Sequence, residues 1–158
     1  MPHIHEKIDF TASVFIVNGD TVLLRMHDKY KKWLSVGGHV ELDEDPNQAA
    51  LREAKEESGL EVILAGEITE APSEDDGFFK NLIPPRFFNI HQIKTGSEHQ
   101  HCDFIYFGTS STREVCARPE EKQCEMRWFT RDELNDPSYD LYPTTRFYAT
   151  TALDELGS

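Results

Sequence analysis

Three carboxylates at Glu53, Glu56 and Glu57 follow a glycine-bounded loop, and their spacing is what a divalent-cation site requires. At about 100° per residue, positions i, i+3 and i+4 share one arc of a helix, so the three side chains point the same way. Like charges at such spacing oppose one another by roughly 0.2–0.5 kcal/mol per pair even when exposed, so a cation that neutralises them is favoured. Carboxylate oxygens without neighbouring cysteine suit a hard cation, Mg²⁺ first and Mn²⁺ second, rather than Zn²⁺. In a chain with 29 acidic residues, a solvated acidic face is the competing explanation for any three glutamates.

The helix that must carry them is marked at both ends. Asp45 is suited to cap it, Pro46 to enter its first turn, Gln48 to close a capping box, and Gly59 to make the left-handed exit. On the same wheel Ala50, Leu51, Ala54 and Ser58 form a small, apolar arc expected to pack on a sheet. Upstream, Asp9 to Val17 and Thr21 to His27 read as strands joined at Asn18-Gly19-Asp20, a hairpin with a tight turn. A short strand from Trp33 to Gly37 leads into the glycine loop, and Leu60 to Thr69 reads as a strand after the helix. An irregular, proline-containing excursion from Ala71 to Arg86 precedes strands Phe87 to Lys94 and His101 to Thr109. Arg127 to Phe129 reads as a last extended piece. Thr130 and Glu133 then open a short helix by a capping box, and a closing helix runs from about Pro143 to Leu156.

Read in full, Gly38, Glu44, Arg52, Glu53, Ala54, Glu56, Glu57, Gly59 and Leu60 satisfy the pattern G-x5-E-x7-R-E-A-x-E-E-x-G-L without a gap. This resembles the signature box of the Nudix hydrolases. The later Glu125-x-x-Trp128-Phe129-Thr130-x-x-Glu133-Leu134 is similar to the tail of many Nudix domains. Strands on both sides of one central helix make an α+β domain with a mixed sheet. The resemblance implies the Nudix fold, an α/β/α sandwich, over a single domain spanning residues 1–158.

The resemblance also implies hydrolysis of a diphosphate bridge in a nucleoside diphosphate linked to another moiety. It assigns the metal to Glu53, Glu56 and Glu57, with a contact from the Gly38 carbonyl, and gives Arg52 the orientation of a glutamate. Gly37 and Gly38 let backbone approach closely where a Cβ would obstruct. Glu44, at the turn into the helix, is read as structural. The general base is drawn from Glu53, ranked first, Glu56, Glu120, Glu121 or Glu125. Arg25 resembles a phosphate-contacting arginine, and His39 could touch phosphate or carry a proton.

Four histidines, His3, His5, His99 and His101, are not explained by the box. Each pair has i,i+2 spacing, which on a strand places both rings on one face, so they could chelate a transition metal or simply be polar strand ends. Phe78, Phe79, Phe87 and Phe88 could stack a base, pack a homodimer or fill the core.

Length and composition set outer bounds. With 158 residues, 38% of them hydrophobic, the chain is long enough for one core and short for two. A net charge of −13 with 16 scattered basic residues argues against nucleic acid as a partner. No apolar run approaches a membrane span or a signal peptide, so a soluble, cytoplasmic protein is expected. Cys102, Cys116 and Cys124 form no C-x-x-C pair and are read as reduced thiols. Two other readings compete with a hydrolase: a Nudix-fold binding or sensor module without turnover, and an isopentenyl diphosphate isomerase, which would require a catalytic cysteine and a modified box.

Overall fold

The computed structural model describes residues 6–69, 79–116 and 124–158. In chain order the elements are β1 (Ile8–Asn18), β2 (Thr21–His27), β3 (Lys32–Leu34), β4 (Val36–His39), α1 (Pro46–Ser58), β5 (Val62–Leu64), β6 (Phe87–Gln92), β7 (Gln100–Ser110), β8 (Met126–Thr130), α2 (Arg131–Asn135) and α3 (Pro143–Leu156). All eight strands belong to one mixed sheet, ordered β3-β2-β1-β7-β5 along its main path, with β4 on β1, β6 on β7 and β8 on β2. Strand β1 is its axis. It runs parallel to β7 along its length and antiparallel to β2 at one end and β4 at the other.

Period-two alternation along β1 divides the core into two layers. Val14 and Ile16 face α1, where Ala49, Ala50 and Ala54 let the helix lie close to the sheet. Phe15 and Val17 face the opposite way, joining Phe107, Phe129, Leu134, Ala149 and Leu153 beneath α2 and α3. Full burial of a side chain such as Phe107 or Phe129 stabilises the fold by about 1.5–3 kcal/mol. Helices thus cover both faces of a mixed sheet, which is the α/β/α sandwich expected.

Several local expectations hold in detail. Asp45 accepts from the Gln48 amide and Gln48 accepts from the Asp45 amide, each at 2.9 Å, so the capping box is complete. Gly59 exits α1 at φ 75°, a conformation that favours glycine. Thr130 and Glu133 form the second capping box, and α3 begins at Pro143.

Three expectations need correction. The strand expected from Trp33 to Gly37 is two strands, because the chain changes partner at Ser35: Leu34 pairs with Arg25 of β2, whereas Val36 pairs with Val14 of β1. The strand expected over Leu60 to Thr69 is only Val62–Leu64, since the backbone turns at Gly66, φ 127°, with Ile83 packed against it. On α1, Leu51 is exposed and Ala49 takes its place in the packed arc. Among the described residues, no helix is long and apolar enough to cross a membrane.

Candidate metal and phosphate site

The α1 glutamates meet the loop before the helix through two arginines. Arg52 spends its whole guanidinium on this junction. Its Nε and Nη2 donate to the two oxygens of Glu44 at 2.9 and 2.7 Å, a bidentate pair. Its Nη1 donates to Glu53 Oε1 at 2.8 Å and Glu56 Oε2 at 3.1 Å, and Nη2 also donates to the His39 carbonyl at 2.9 Å. Two of the three helix carboxylates therefore converge on one nitrogen. The Glu44 hydrogen bond, ahead of its other carboxylate partners, makes Arg52 hold its proton more firmly than a free guanidinium does.

Glu57 is the deepest of the glutamates, with 5% of its surface exposed. It accepts from the Gly37 amide at 3.0 Å and pairs with Arg25 Nη1 at 2.5 Å. The Arg25 side chain is itself 13% exposed, so this is a largely desolvated ion pair. Arg25 reaches it because β2 residues alternate: Leu23 faces α1, Leu24 faces away, and Arg25 faces α1 again.

The glycines explain how loop and helix approach. A Cβ on Gly38 would lie against the Glu53 carboxylate, nearer than real Cβ contacts come, and one on Gly37, at φ 154°, would strike the Ala12 carbonyl. The pattern thus demands glycine at both positions. At Gly38 the close neighbour is the proposed ligand Glu53.

Electrostatics separate the carboxylates. Glu44 is held below the usual carboxylate range, chiefly by its hydrogen bonds from Arg52. Glu53 is pushed above that range, first by burial and then by Glu56 and Glu44, although Arg52 opposes the shift. Among the described residues, four carboxylates, Glu44, Glu53, Glu56 and Glu57, meet two guanidiniums at one loop–helix junction, an excess of negative charge within that set. An all-oxygen donor set with excess negative charge, and a glycine where a side chain would crowd Glu53, fits Mg²⁺ or Mn²⁺.

The structure thus brings Arg25, Gly38, Arg52, Glu53, Glu56 and Glu57 together. His39 contributes only its carbonyl to this group. Its side chain, in register with Thr11, points to the opposite sheet face and lies 3.3 Å from Asp9. There its ring meets His101 at a centroid distance of 5.1 Å, with His99 and His91 nearby. His3, His5, Glu120, Glu121 and Phe78 lie outside the described residues. Glu125 sits just before β8, where its carbonyl accepts from the Met26 amide at 2.7 Å. Phe87 packs with Phe107, Phe147 and Tyr148, while Phe79 and Phe88 are exposed.

Sequence reasoning missed Asp9 and Asp103. Asp103, 8% exposed, accepts from Thr11 at 3.0 Å and from Ser13 at 3.0 and 3.1 Å. Burial, partly offset by these hydroxyls, raises its carboxyl above the usual range. Its signal is a charged residue at the start of the apolar run Phe104 to Phe107 in β7.

A family model described as NUDIX domain matches residues 7–148. A crystal structure of a NUDIX-family hydrolase from Clostridium perfringens is 35% identical, with a TM-score of 0.80 over 94% of this chain and 97% of that one. A MutT NUDIX hydrolase from Burkholderia pseudomallei shares the fold at 20% identity and a TM-score of 0.62, over 92% and 98% of the two chains. A Lactococcus lactis protein named "Probable DHNTP pyrophosphohydrolase" is 31% identical over 103 residues, 65% of this chain. The chain matches about half the length of that relative, 55% of it.

Proposed function

The chain belongs to the Nudix hydrolase family, and on that premise we propose that it is a Mg²⁺-dependent pyrophosphohydrolase, with Mn²⁺ as substitute, acting on a nucleotide-type diphosphate. The observation that carries this reading is the convergence of Glu53 and Glu56 on one nitrogen of Arg52, beside the desolvated Glu57–Arg25 pair. The pyrophosphohydrolase name of the Lactococcus lactis relative supports the bond type.

Glu53, Glu56 and Glu57 would hold the cation together with the Gly38 carbonyl. When bound, the cation screens the diphosphate charge and lowers the pKa of the attacking water. This chain's residues do the rest. Arg52, itself clamped by Glu44, fixes the directions of Glu53 and Glu56, and Gly37 with Arg25 fixes Glu57. Glu53 would be the general base, with Oε2 receiving the proton while Oε1 stays on Arg52. Arg25, paired with Glu57, would meet phosphate oxygens where the substrate reaches that carboxylate.

The test is a panel of nucleoside triphosphates, nucleotide sugars, dinucleoside polyphosphates and DHNTP. Phosphate release is followed with Mg²⁺ and with Mn²⁺, with and without a coupled phosphatase. Cation-dependent release from at least one member is expected. Tight nucleotide binding with no release from any member would instead identify a non-catalytic Nudix-fold module.

A further inference from the structure

We propose that Asp9, His39 and His101 form a second metal site, for a borderline transition cation such as Zn²⁺, Ni²⁺ or Cu²⁺, on the sheet face opposite α1. One ligand atom from each of the three lies within 4.8 Å of the others. Asp9 Oδ2 is 3.3 Å from His39 Nε2, and the His39 and His101 rings stand nearly perpendicular at 5.1 Å. Three strands deliver them. Asp9 of β1 is directly opposite His101 of β7, and Thr11, two residues on, is opposite His39 of β4. Strand-borne ligands are held more rigidly than loop-borne ones, so closing to Zn–N distances of about 2.0–2.1 Å asks mainly for rotation of side chains.

The surroundings are those of a ligand set rather than of one ion pair. His99 Nε2 lies 2.8 Å from Asp9 Oδ2, and His91 stacks edge-on to His101 at 5.7 Å. His91 Nδ1 is hydrogen-bonded to Asn89 Oδ1 at 2.8 Å, the kind of outer bond that fixes an imidazole's tautomer. Four of the chain's seven histidines, His39, His91, His99 and His101, thus gather beside Asp9, with Asp103 near His91. The His101 ring is partly buried between those of His39 and His91. Nitrogen donors with one carboxylate favour Zn²⁺, Ni²⁺ and Cu²⁺ over Mg²⁺, so the two sites sort cations by donor chemistry.

The two sites touch at one residue. His39 offers its ring to this cluster and its carbonyl to Arg52 at 2.9 Å. A cation here would clamp β1, β4 and β7 at their shared edge and hold the His39 carbonyl against the arginine that aims Glu53 and Glu56. This goes beyond the hydrolase reading and does not depend on it.

The experiment is titration of the full, untagged chain with Zn²⁺ by calorimetry, and with Cu²⁺ followed by electron paramagnetic resonance. One Zn²⁺ equivalent and nitrogen hyperfine structure on Cu²⁺ are expected, with Zn²⁺ affinity weakened about 10–100-fold in His101→Ala and Asp9→Asn. The exposed ring of His39 allows His39→Gln as the variant least able to disturb folding, checked by circular dichroism. A Glu53→Gln/Glu56→Gln double variant should keep both signals. The proposal is overturned if the histidine variants bind Zn²⁺ like the parent, if only the glutamate variant loses it, or if a His3→Gln/His5→Gln variant alone abolishes it.

Discussion

The two faces of the sheet carry polar clusters assembled in opposite ways. On the α1 face, three of the four carboxylates come from a single helix and are held by two guanidiniums. On the other face, Asp9 and four imidazoles come from β1, β4, β6, β7 and the turn before β7. The first cluster is hard, anionic and locked by charge-assisted bonds; the second is nitrogen-rich. A helix brings chemistry together within a few residues, whereas a sheet joins residues up to about ninety apart. That difference governs both what each cluster can bind and how readily it is found.

The largest expected effect lies in the buried pair. Glu57→Gln should lower kcat/KM by about 10³-fold. It should also destabilise the fold by about 3–5 kcal/mol, because a largely desolvated ion pair is broken from one side. Thermal melting checks this, and a variant as stable as the parent would show that Arg25 finds solvent. Next is Gly38→Ala: the new Cβ displaces the Glu53 carboxylate and should lower kcat by up to about 100-fold with little change in melting. Glu44→Gln, which removes the bidentate clamp on Arg52, should lower kcat/KM by about tenfold, at the modest end for outer-shell partners.

The smallest effect separates the faces by pH. Glu44 is depressed in the folded state, so its stabilisation is present above the ordinary carboxylate range and is lost as pH falls. Asp103 is raised, so the folded state retains its proton longer than the unfolded chain. Its contribution therefore declines as pH rises through and above the ordinary aspartate range. Urea midpoints across pH should accordingly change on the acid side in Glu44→Gln and on the rising side in Asp103→Asn. Identical pH profiles in the two variants would erase the distinction.

What the sequence made legible follows the same division. The α1 caps, the Thr130–Glu133 box, the Gly19-Asp20 turn and the glutamate arc all depend on spacings of a few residues, and each is present. The partner exchange at Ser35 was not visible, since a run of extended residues carries no mark of which strand it pairs with. Leu51 was misplaced because a wheel cannot tell which edge of an apolar arc faces the sheet when Ala49 competes with it. His99 and His101 were read as sharing a face, but Asp9, His39 and His91 join them only through register across three ladders. Asp103 needed the same information. Thr11 and Ser13 are ordinary strand residues until β7 is set beside them.

The central claim is that the α1 carboxylates hold a divalent cation for diphosphate hydrolysis, and it is tested most directly at Glu56, whose side chain is partly exposed and whose loss spares the buried pair. Turnover of the best substrate from the panel is measured against Mg²⁺ concentration for the parent and for Glu56→Gln. The account predicts parent activity that requires Mg²⁺ and is removed by chelation, and a variant reduced about 10³-fold in kcat/KM with an unchanged melting temperature. Parent-like turnover in Glu56→Gln, or activity indifferent to Mg²⁺, would contradict it.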